Sequence, residues 1–220
     1  MIQIDKLVRS KRKTLSLIVE TDGTLTVRAP LRMKEADIRR FIEVKSDWIK
    51  RKQASLKKEA VSPRQYIDGE TIPYLGKEIP LRLVPDRKPA LVMDGVFKLA
   101  RAAQPRAESV FEDWFKKQAR AFLSERFCFY MNKYGFKAEK IRISSARTRW
   151  GSCSAKKTLS FTWRLVMAPP EVIDYVVVHE LCHLRELNHS PSFWAQVGAI
   201  LPDYKTNRKW LKHNGAKLYL

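Results

Sequence analysis

Residues 176–189 read Val-Val-Val-His-Glu-Leu-Cys-His-Leu-Arg-Glu-Leu-Asn-His and contain three of the four histidines in the 220-residue chain. His179 and His183 are four positions apart, which places both imidazoles on one face of an α-helix. Two imidazoles in that arrangement can bind one Zn²⁺. Glu180 lies at the rim of the same face, where it can accept a proton from a water molecule at the metal. This stretch therefore predicts a helix that carries a catalytic zinc site.

The three valines at the start of this stretch also suit a buried strand, because β-branched residues are weak helix formers. In a strand, however, residues four apart lie about 13 Å from each other, so two histidines could not share one ion. Residues 168–171, Ala-Pro-Pro-Glu, suit a helix start, since proline is tolerated in a first turn. We therefore predict a helix rather than a strand.

A catalytic zinc takes three protein ligands and leaves one position for water. His189 follows His183 by six positions, and we predict it as the third ligand. A distant acidic ligand fits poorly, because Asp203 is the only acidic residue after Glu186. Glu186 itself returns to the metal-facing side of the helix as a supporting residue or an alternative ligand. It also replaces the glycine of the longer H-E-x-x-H-x-x-G-x-x-H pattern, so we expect the helix to end at Asn188 instead.

A polar turn rich in arginine and glycine forms a second group of candidate residues, which we predict to bind substrate. It lies between predicted strands at 141–144 and 159–165, which we expect to pair as a hairpin. Such a turn can stabilise an oxyanion or hold an extended peptide at a sheet edge. The alternative is a tight turn with solvated arginines. The candidate substrate-binding residues are Arg147, Arg149, Trp150, Gly151 and Ser152.

The remaining periodicity predicts an α+β protein with two parts. Residues 1–103 read as a β-rich N-terminal subdomain with one long helix that starts near residue 34. Residues 104–220 open with a second long helix over 105–134, in which aromatic residues recur at helical spacing, and continue into the zinc-binding helix. We therefore predict a catalytic domain over 104–220, with a zinc-binding active-site helix and a small sheet.

The composition is strongly basic, with 43 Lys and Arg against 23 Asp and Glu and a formal net charge of +20. This charge favours an anionic partner such as nucleic acid, or else a well-solvated basic surface. The three cysteines are widely spaced and do not indicate a disulfide framework. The sequence has no secretory signal and no apolar run long enough for a membrane span. We therefore expect a cytoplasmic protein that does not associate with membranes.

Four segments occur in order along the chain: R-T-R-W-G-S-C-S at 147–154, F-T-W-R-L at 161–165, Y-V-V-V-H-E-L-C-H-L at 175–184 and N-H-S-P-S-F-W at 188–194. Together they resemble the YgjP-like metallopeptidase family, which is related to the SprT-like and WLM domains. The resemblance implies a zincin-like α+β fold, zinc ligands at His179, His183 and His189, and a catalytic base at Glu180.

The sequence therefore predicts a zinc-dependent metallopeptidase that binds one Zn²⁺ per chain and acts on a protein or peptide substrate. Two other functions agree with the basic charge. One is a DNA-associated protease that acts on DNA-bound or crosslinked proteins, by analogy with the related domains. The other is a nucleic-acid-binding protein whose zinc is structural. Glu180 beside the ligands argues against that last function, because a closed structural site needs a fourth ligand rather than a base.

Overall fold

A computed structural model describes residues 2–20, 23–58 and 64–219 of the chain. The chain divides into two compact units, Met1–Ser62 and Pro63–Leu220. This division differs from the boundary that we predicted between residues 103 and 104. None of the helices in the described ranges is long and apolar enough to cross a membrane.

The first unit is a small three-stranded sheet with two helices. The middle strand, β3 (Leu25–Pro30), pairs in parallel with β1 (Lys6–Ser10) and antiparallel with β2 (Ser16–Val19). The core of this unit is a cluster of fully or nearly buried aliphatic residues from β3 and the helices, among them Val27, Ile38 and Ile49. The single long helix that we predicted is two helices, which meet at Lys45. The elements are β1 (Lys6–Ser10), β2 (Ser16–Val19), β3 (Leu25–Pro30), α1 (Glu35–Val44) and α2 (Ser46–Lys58).

The second unit opens with a four-stranded sheet and a long helix, α3 (Ala107–Tyr134), that pack together. The Phe97 ring on strand β7 (Val96–Ala100) lies 5.1 Å from the ring of Phe111 and 5.0 Å from that of Trp114, both on α3. Because sheet and helix share this aromatic core, no boundary between compact units falls at residue 103. Gly135 ends α3 with a φ of 64°, a conformation that favours glycine. The elements are β4 (Thr71–Tyr74), β5 (Lys77–Val84), β6 (Leu91–Asp94), β7 (Val96–Ala100) and α3 (Ala107–Tyr134).

A second sheet follows α3 and forms one wall of the candidate site. It contains β8 (Lys140–Ser144), β9 (Gly151–Cys153) and β10 (Thr158–Thr162), in the order β8-β10-β9. The predicted hairpin between the first and last of these segments is wrong, because β8 and β10 are parallel. The short strand β9 forms the antiparallel pair with β10 instead. The chain then turns into a 3₁₀ helix, Trp163–Met167, where we had expected the strand to continue.

Three helices complete the second unit: α4 (Pro170–Cys182), α5 (Pro191–Ile200) and α6 (Tyr204–Asn214). Nine of the thirteen residues of α4 are buried, which explains how its valine run tolerates a helix: packing outweighs intrinsic propensity. The helix ends at Cys182, six residues before the end that we predicted at Asn188, whose φ is not positive. Helices and small sheets together confirm the α+β class.

Candidate active site

The end of α4 brings three histidine side chains together. His179 lies in the last turn of α4, His183 caps that helix, and His189 precedes the N-cap of α5. One potential ligand atom from each residue lies within 4.8 Å of the others, and the Nε2 atoms of His179 and His189 are 3.0 Å apart. Two nitrogens bound to one tetrahedral zinc lie about 3.3 Å apart. The cluster therefore has the dimensions of a metal site.

The hydrogen bonding and burial of the histidines suit metal binding. The Nδ1–H of His183 donates to the Glu186 carbonyl oxygen at 2.9 Å, which leaves Nε2 with its free lone pair. Burial, followed by the neighbouring histidines, lowers the pKa of His179 to about 3. Burial also lowers the pKa of His189. The rings of His179 and His189 are therefore neutral at pH 7, and the neutral imidazole is the form that binds metals.

The first turn of α5 supplies an aromatic support for the histidines. The Phe193 ring is fully buried, and its centroid lies 4.9, 4.5 and 4.9 Å from the ring centroids of His179, His183 and His189. Ser190 caps α5 by accepting a hydrogen bond from the Phe193 N–H, as expected for an N-cap serine. The cap therefore fixes the ring that touches all three imidazoles.

Glu180 lies beside the histidine cluster and is only 6% exposed. Burial raises the pKa of its carboxyl group to about 7, and the nearby Arg149 acts in the opposite direction. The carboxyl group rests against β9: a Cβ atom on Gly151 would lie 2.6 Å from Glu180 Cγ and 2.7 Å from Oε1. Only glycine leaves room for this packing, so β9 and α4 together set the position of the carboxyl group.

The predicted substrate-binding residues fall into three groups. Gly151 packs against Glu180, and Arg149 is close enough to act electrostatically on the same carboxyl group. Ser152 pairs with Ser160 within the sheet, and the alternation of strand residues turns its side chain to the face opposite Gly151. The first group is therefore at the histidine cluster, and Ser152 faces the other side of β9.

Arg147 and Trp150 instead contact the C-terminal segment of the chain. The Tyr219 hydroxyl donates to the Arg147 carbonyl oxygen. The Trp150 ring packs against Gly215, where a Cβ atom would lie 2.8 Å from Cζ2, and lies 6.1 Å from the Tyr219 ring. These contacts use the Trp150 ring and the Arg147 main chain, and they hold the backbone that leads into Gly151.

Three further residues around the histidines were missing from the sequence-based site. The Tyr175 ring meets His179 edge-on at 5.8 Å, and burial raises the pKa of its hydroxyl to about 12. Trp194 stacks on His189 at 5.5 Å, and the Arg208 guanidinium lies 4.6 Å from the Trp194 ring centroid. Tyr175 lies four positions before His179, which is one helical turn, so the sequence pattern could have identified it. Arg208 had no such signal, because it is one of many basic residues in the last part of the sequence.

Metallopeptidases combine three metal-binding residues with a glutamate on the active-site helix. The three histidines and the buried Glu180 at the end of α4 have this arrangement. The chain belongs to the YgjP-like metallopeptidase family, whose metallopeptidase-domain profile matches residues 13–214. This match confirms the resemblance seen in the sequence.

A search of solved structures found a partial similarity to the crystal structure of the metallopeptidase zymogen of Pyrococcus abyssi abylysin. The match covers 41% of this chain and 93% of that chain, with 23% sequence identity and a TM-score of 0.37. No curated protein matches the sequence.

Proposed function

We propose that this metallopeptidase depends on zinc, with His179, His183 and His189 as the ligands and Glu180 as the general base. The observation that carries the proposal is the convergence of three ligand atoms within 4.8 Å beside a buried carboxyl group. Zinc held by three protein ligands supplies Lewis acidity and makes water a nucleophile near pH 7.

Glu180 handles the proton in the proposed reaction. Its carboxylate accepts a proton from the attacking water and then donates it to the amine nitrogen of the departing peptide. The contact with Gly151 limits the movement of the carboxyl group, so it stays oriented for both transfers. Its burial keeps competing bulk water away from the carboxyl group.

The outer edge of β9 suits an extended peptide substrate. The sheet order β8-β10-β9 leaves β9 at the edge, and Gly151 places this strand against Glu180. A peptide added along an exposed edge is held by main-chain hydrogen bonds. We infer that the backbone of 151–153 aligns the substrate, while Arg149 and Arg147 act at its flanks.

The basic charge keeps a role for nucleic acid open to experiment. A net charge of +20 suits both a DNA-associated protease and a nucleic-acid-binding protein with a structural zinc, so the ligand set has to distinguish them. Among the described residues, the metal cluster contains three histidines and no fourth protein ligand, which suits a catalytic site. Hydrolysis of a protein substrate with and without DNA, over a range of salt concentrations, tests this role. DNA recruitment predicts stimulation that weakens as the salt concentration rises.

Metal analysis tests the ligand set. Wild-type protein is expected to contain about one zinc per chain, and His189→Ala is expected to lose most of it. His213→Ala is the matched control, because His213 is exposed and its Nδ1 bonds the Lys209 carbonyl oxygen within α6. Full zinc occupancy in the His189→Ala protein contradicts the ligand assignment.

Peptide hydrolysis tests the base. Glu180→Gln is expected to retain zinc and to lower kcat by about 1,000-fold or more, because the amide cannot accept the proton. Glu171→Gln, at an exposed position on the same helix, serves as the control and is expected to match wild type. Unchanged turnover in Glu180→Gln overturns the proposed mechanism.

A further inference from the structure

Arg208 on α6 is held at the histidine cluster by an aromatic side chain. Its guanidinium carbon lies 4.6 Å from the centroid of the Trp194 ring. The Trp194 ring in turn stacks on His189, with centroids 5.5 Å apart and an interplanar angle of 22°. The guanidinium is therefore one aromatic ring away from a proposed metal ligand.

The Arg208 side chain is held in place by packing, but it has no ion-pair or hydrogen-bond partner among the described residues. Tyr204, one turn earlier in α6, stacks on the same Trp194 ring at 5.4 Å and 13°, which fixes the tryptophan. Contact with a ring face leaves the in-plane N–H donors of a guanidinium free. Arg208 is exposed, and within the ranges that the structure describes it forms no ion pair and no hydrogen bond through its side chain. Its planar set of donors matches a carboxylate.

Arg149 adds a second free cation on the β9 side of the site. It is exposed, precedes Gly151 by two positions and acts electrostatically on Glu180. Its side chain also lacks a carboxylate partner in the described part of the chain. Among the described residues, neither Glu180 nor Glu186 forms an ion pair with Arg208 or Arg149, and the Glu186 carboxylate accepts a hydrogen bond from Ser192 instead.

We propose that Arg208, assisted by Arg149, selects peptides that carry an Asp or Glu side chain near the bond to be cut. This inference rests on the proposed function, since it places the peptide at the histidine cluster. Carboxylate and phosphate groups can both pair with a guanidinium fork. We choose an acidic peptide over nucleic acid because both arginines flank the proposed peptidase site.

Peptide binding to metal-free protein tests the inference independently of turnover. Two labelled peptides that differ only by Glu or Gln at one position are titrated and followed by fluorescence anisotropy. Wild type is expected to bind the Glu peptide about tenfold more tightly, as charge-assisted hydrogen bonds imply. In Arg208→Met this ratio should fall to about one, while Arg208→Glu should favour a Lys peptide.

Lys212→Met is the matched control, since Lys212 is an exposed cation in the last turn of α6, and it should keep the wild-type ratio. Circular dichroism verifies that each variant is folded. The inference is overturned if Arg208→Met keeps the wild-type ratio, or if the wild type does not distinguish Glu from Gln. It is also overturned if single-stranded DNA binds through Arg208 while the acidic peptide does not.

The two proposals fail in different ways. Hydrolysis that requires Glu180 but shows no preference for acidic peptides leaves the peptidase mechanism intact and removes only the role of Arg208. Conversely, Arg208-dependent binding of the Glu peptide without any hydrolysis supports the recognition site and contradicts the peptidase mechanism. Measuring binding and turnover on the same peptides separates these results.

Discussion

Helix α4 carries two clusters of polar side chains that differ in how far their hydrogen bonds are satisfied. Near its start, Asp174 accepts hydrogen bonds from Arg126 at 2.6 and 2.7 Å and from the Tyr130 hydroxyl at 3.0 Å. Near its end, His179 Nδ1 is buried without a hydrogen-bond partner in the described structure. The Glu180 carboxyl group likewise has none in those ranges. Both clusters lie on one helix in one core.

This difference in hydrogen bonding indicates that the Asp174 cluster stabilises the fold and that the cluster around Glu180 serves catalysis. A buried group with all its partners stabilises the packing of α4 on α3, because removing one partner leaves a costly unpaired charge. A buried group without partners contributes little to the fold and remains available to a metal ion, a water molecule or a substrate. We therefore expect changes at Asp174 to affect folding and changes around Glu180 to affect turnover.

Among changes that leave Glu180 itself in place, the largest expected effect is on turnover, at Gly151 beneath the Glu180 carboxyl group. Gly151→Ala places a methyl group 2.6 Å from Glu180 Cγ, so the carboxyl group or the strand must move. We expect kcat/KM to fall about 100-fold, since displacements of about 1 Å at a catalytic group have such effects. Zinc content should stay near one per chain, because the ligands come from other segments.

Gly198→Ala on α5 provides the control for this change. Its Cβ atom would lie 3.3 Å from the edge of the Tyr204 ring, a side chain that can adjust by a small amount. We expect activity within about threefold of wild type. If Gly151→Ala also keeps wild-type activity, the close approach of β9 to Glu180 has no catalytic role.

A smaller effect, on stability, is expected at the satisfied cluster. Asp174→Asn removes the charge that pairs with Arg126, whose side chain is 25% exposed against 15% for Asp174. We expect the free energy of unfolding to fall by about 2 kcal/mol in urea denaturation, while kcat of the folded protein is retained. Asp113→Asn, at a side chain 82% exposed, should stay within about 0.5 kcal/mol of wild type.

Metal-free Glu180→Gln completes the comparison in the same denaturation experiment. We expect no loss of unfolding free energy, because the buried carboxyl group has no hydrogen bond to lose within the described residues. A loss of unfolding free energy as large as that of Asp174→Asn would show that both clusters stabilise the fold equally, which would contradict the proposed difference between them.

The smallest effect is expected at the Tyr130 hydroxyl. Tyr130→Phe removes one donor to Asp174 and leaves the Arg126 pair in place. We expect a loss of about 1 kcal/mol of unfolding free energy and unchanged turnover. Tyr134→Phe is the control, because its ring stacks on Tyr130 without a hydrogen bond from its hydroxyl to Asp174. An equal or larger loss in the control would show that the hydrogen bond from Tyr130 to Asp174 has no particular weight in this cluster.

The sequence predicted those features that depend on local spacing. The positions of His179 and His183 follow from one helical turn, and the aromatic recurrence in α3 from the helical period. The α+β class and the family followed from such patterns and are confirmed. The prediction of His189 as the third ligand rested on chemistry as well as spacing, because the sequence offers few other residues that could bind the metal after His183.

The features that depend on contacts between distant segments were not predictable in the same way. The parallel pairing of β8 with β10 was missed because β9 has only three residues and gives no alternating pattern. The end of α4 at Cys182 is set by the bond from His183 to the Glu186 carbonyl and the turn around it. Arg208 reaches the site only through packing of α6 on α4 and α5.

The packing of Gly151 against Glu180 and of Trp150 against Gly215 has a consequence for how this site can diversify. In a library randomised over positions 150–153 and selected for activity, clones should keep glycine at 151 and an aromatic ring at 150. Position 152 points to the opposite side of β9 and should accept many residues. New substrate preferences would therefore arise at positions of this strand such as 152, where the side chain can change without moving Glu180.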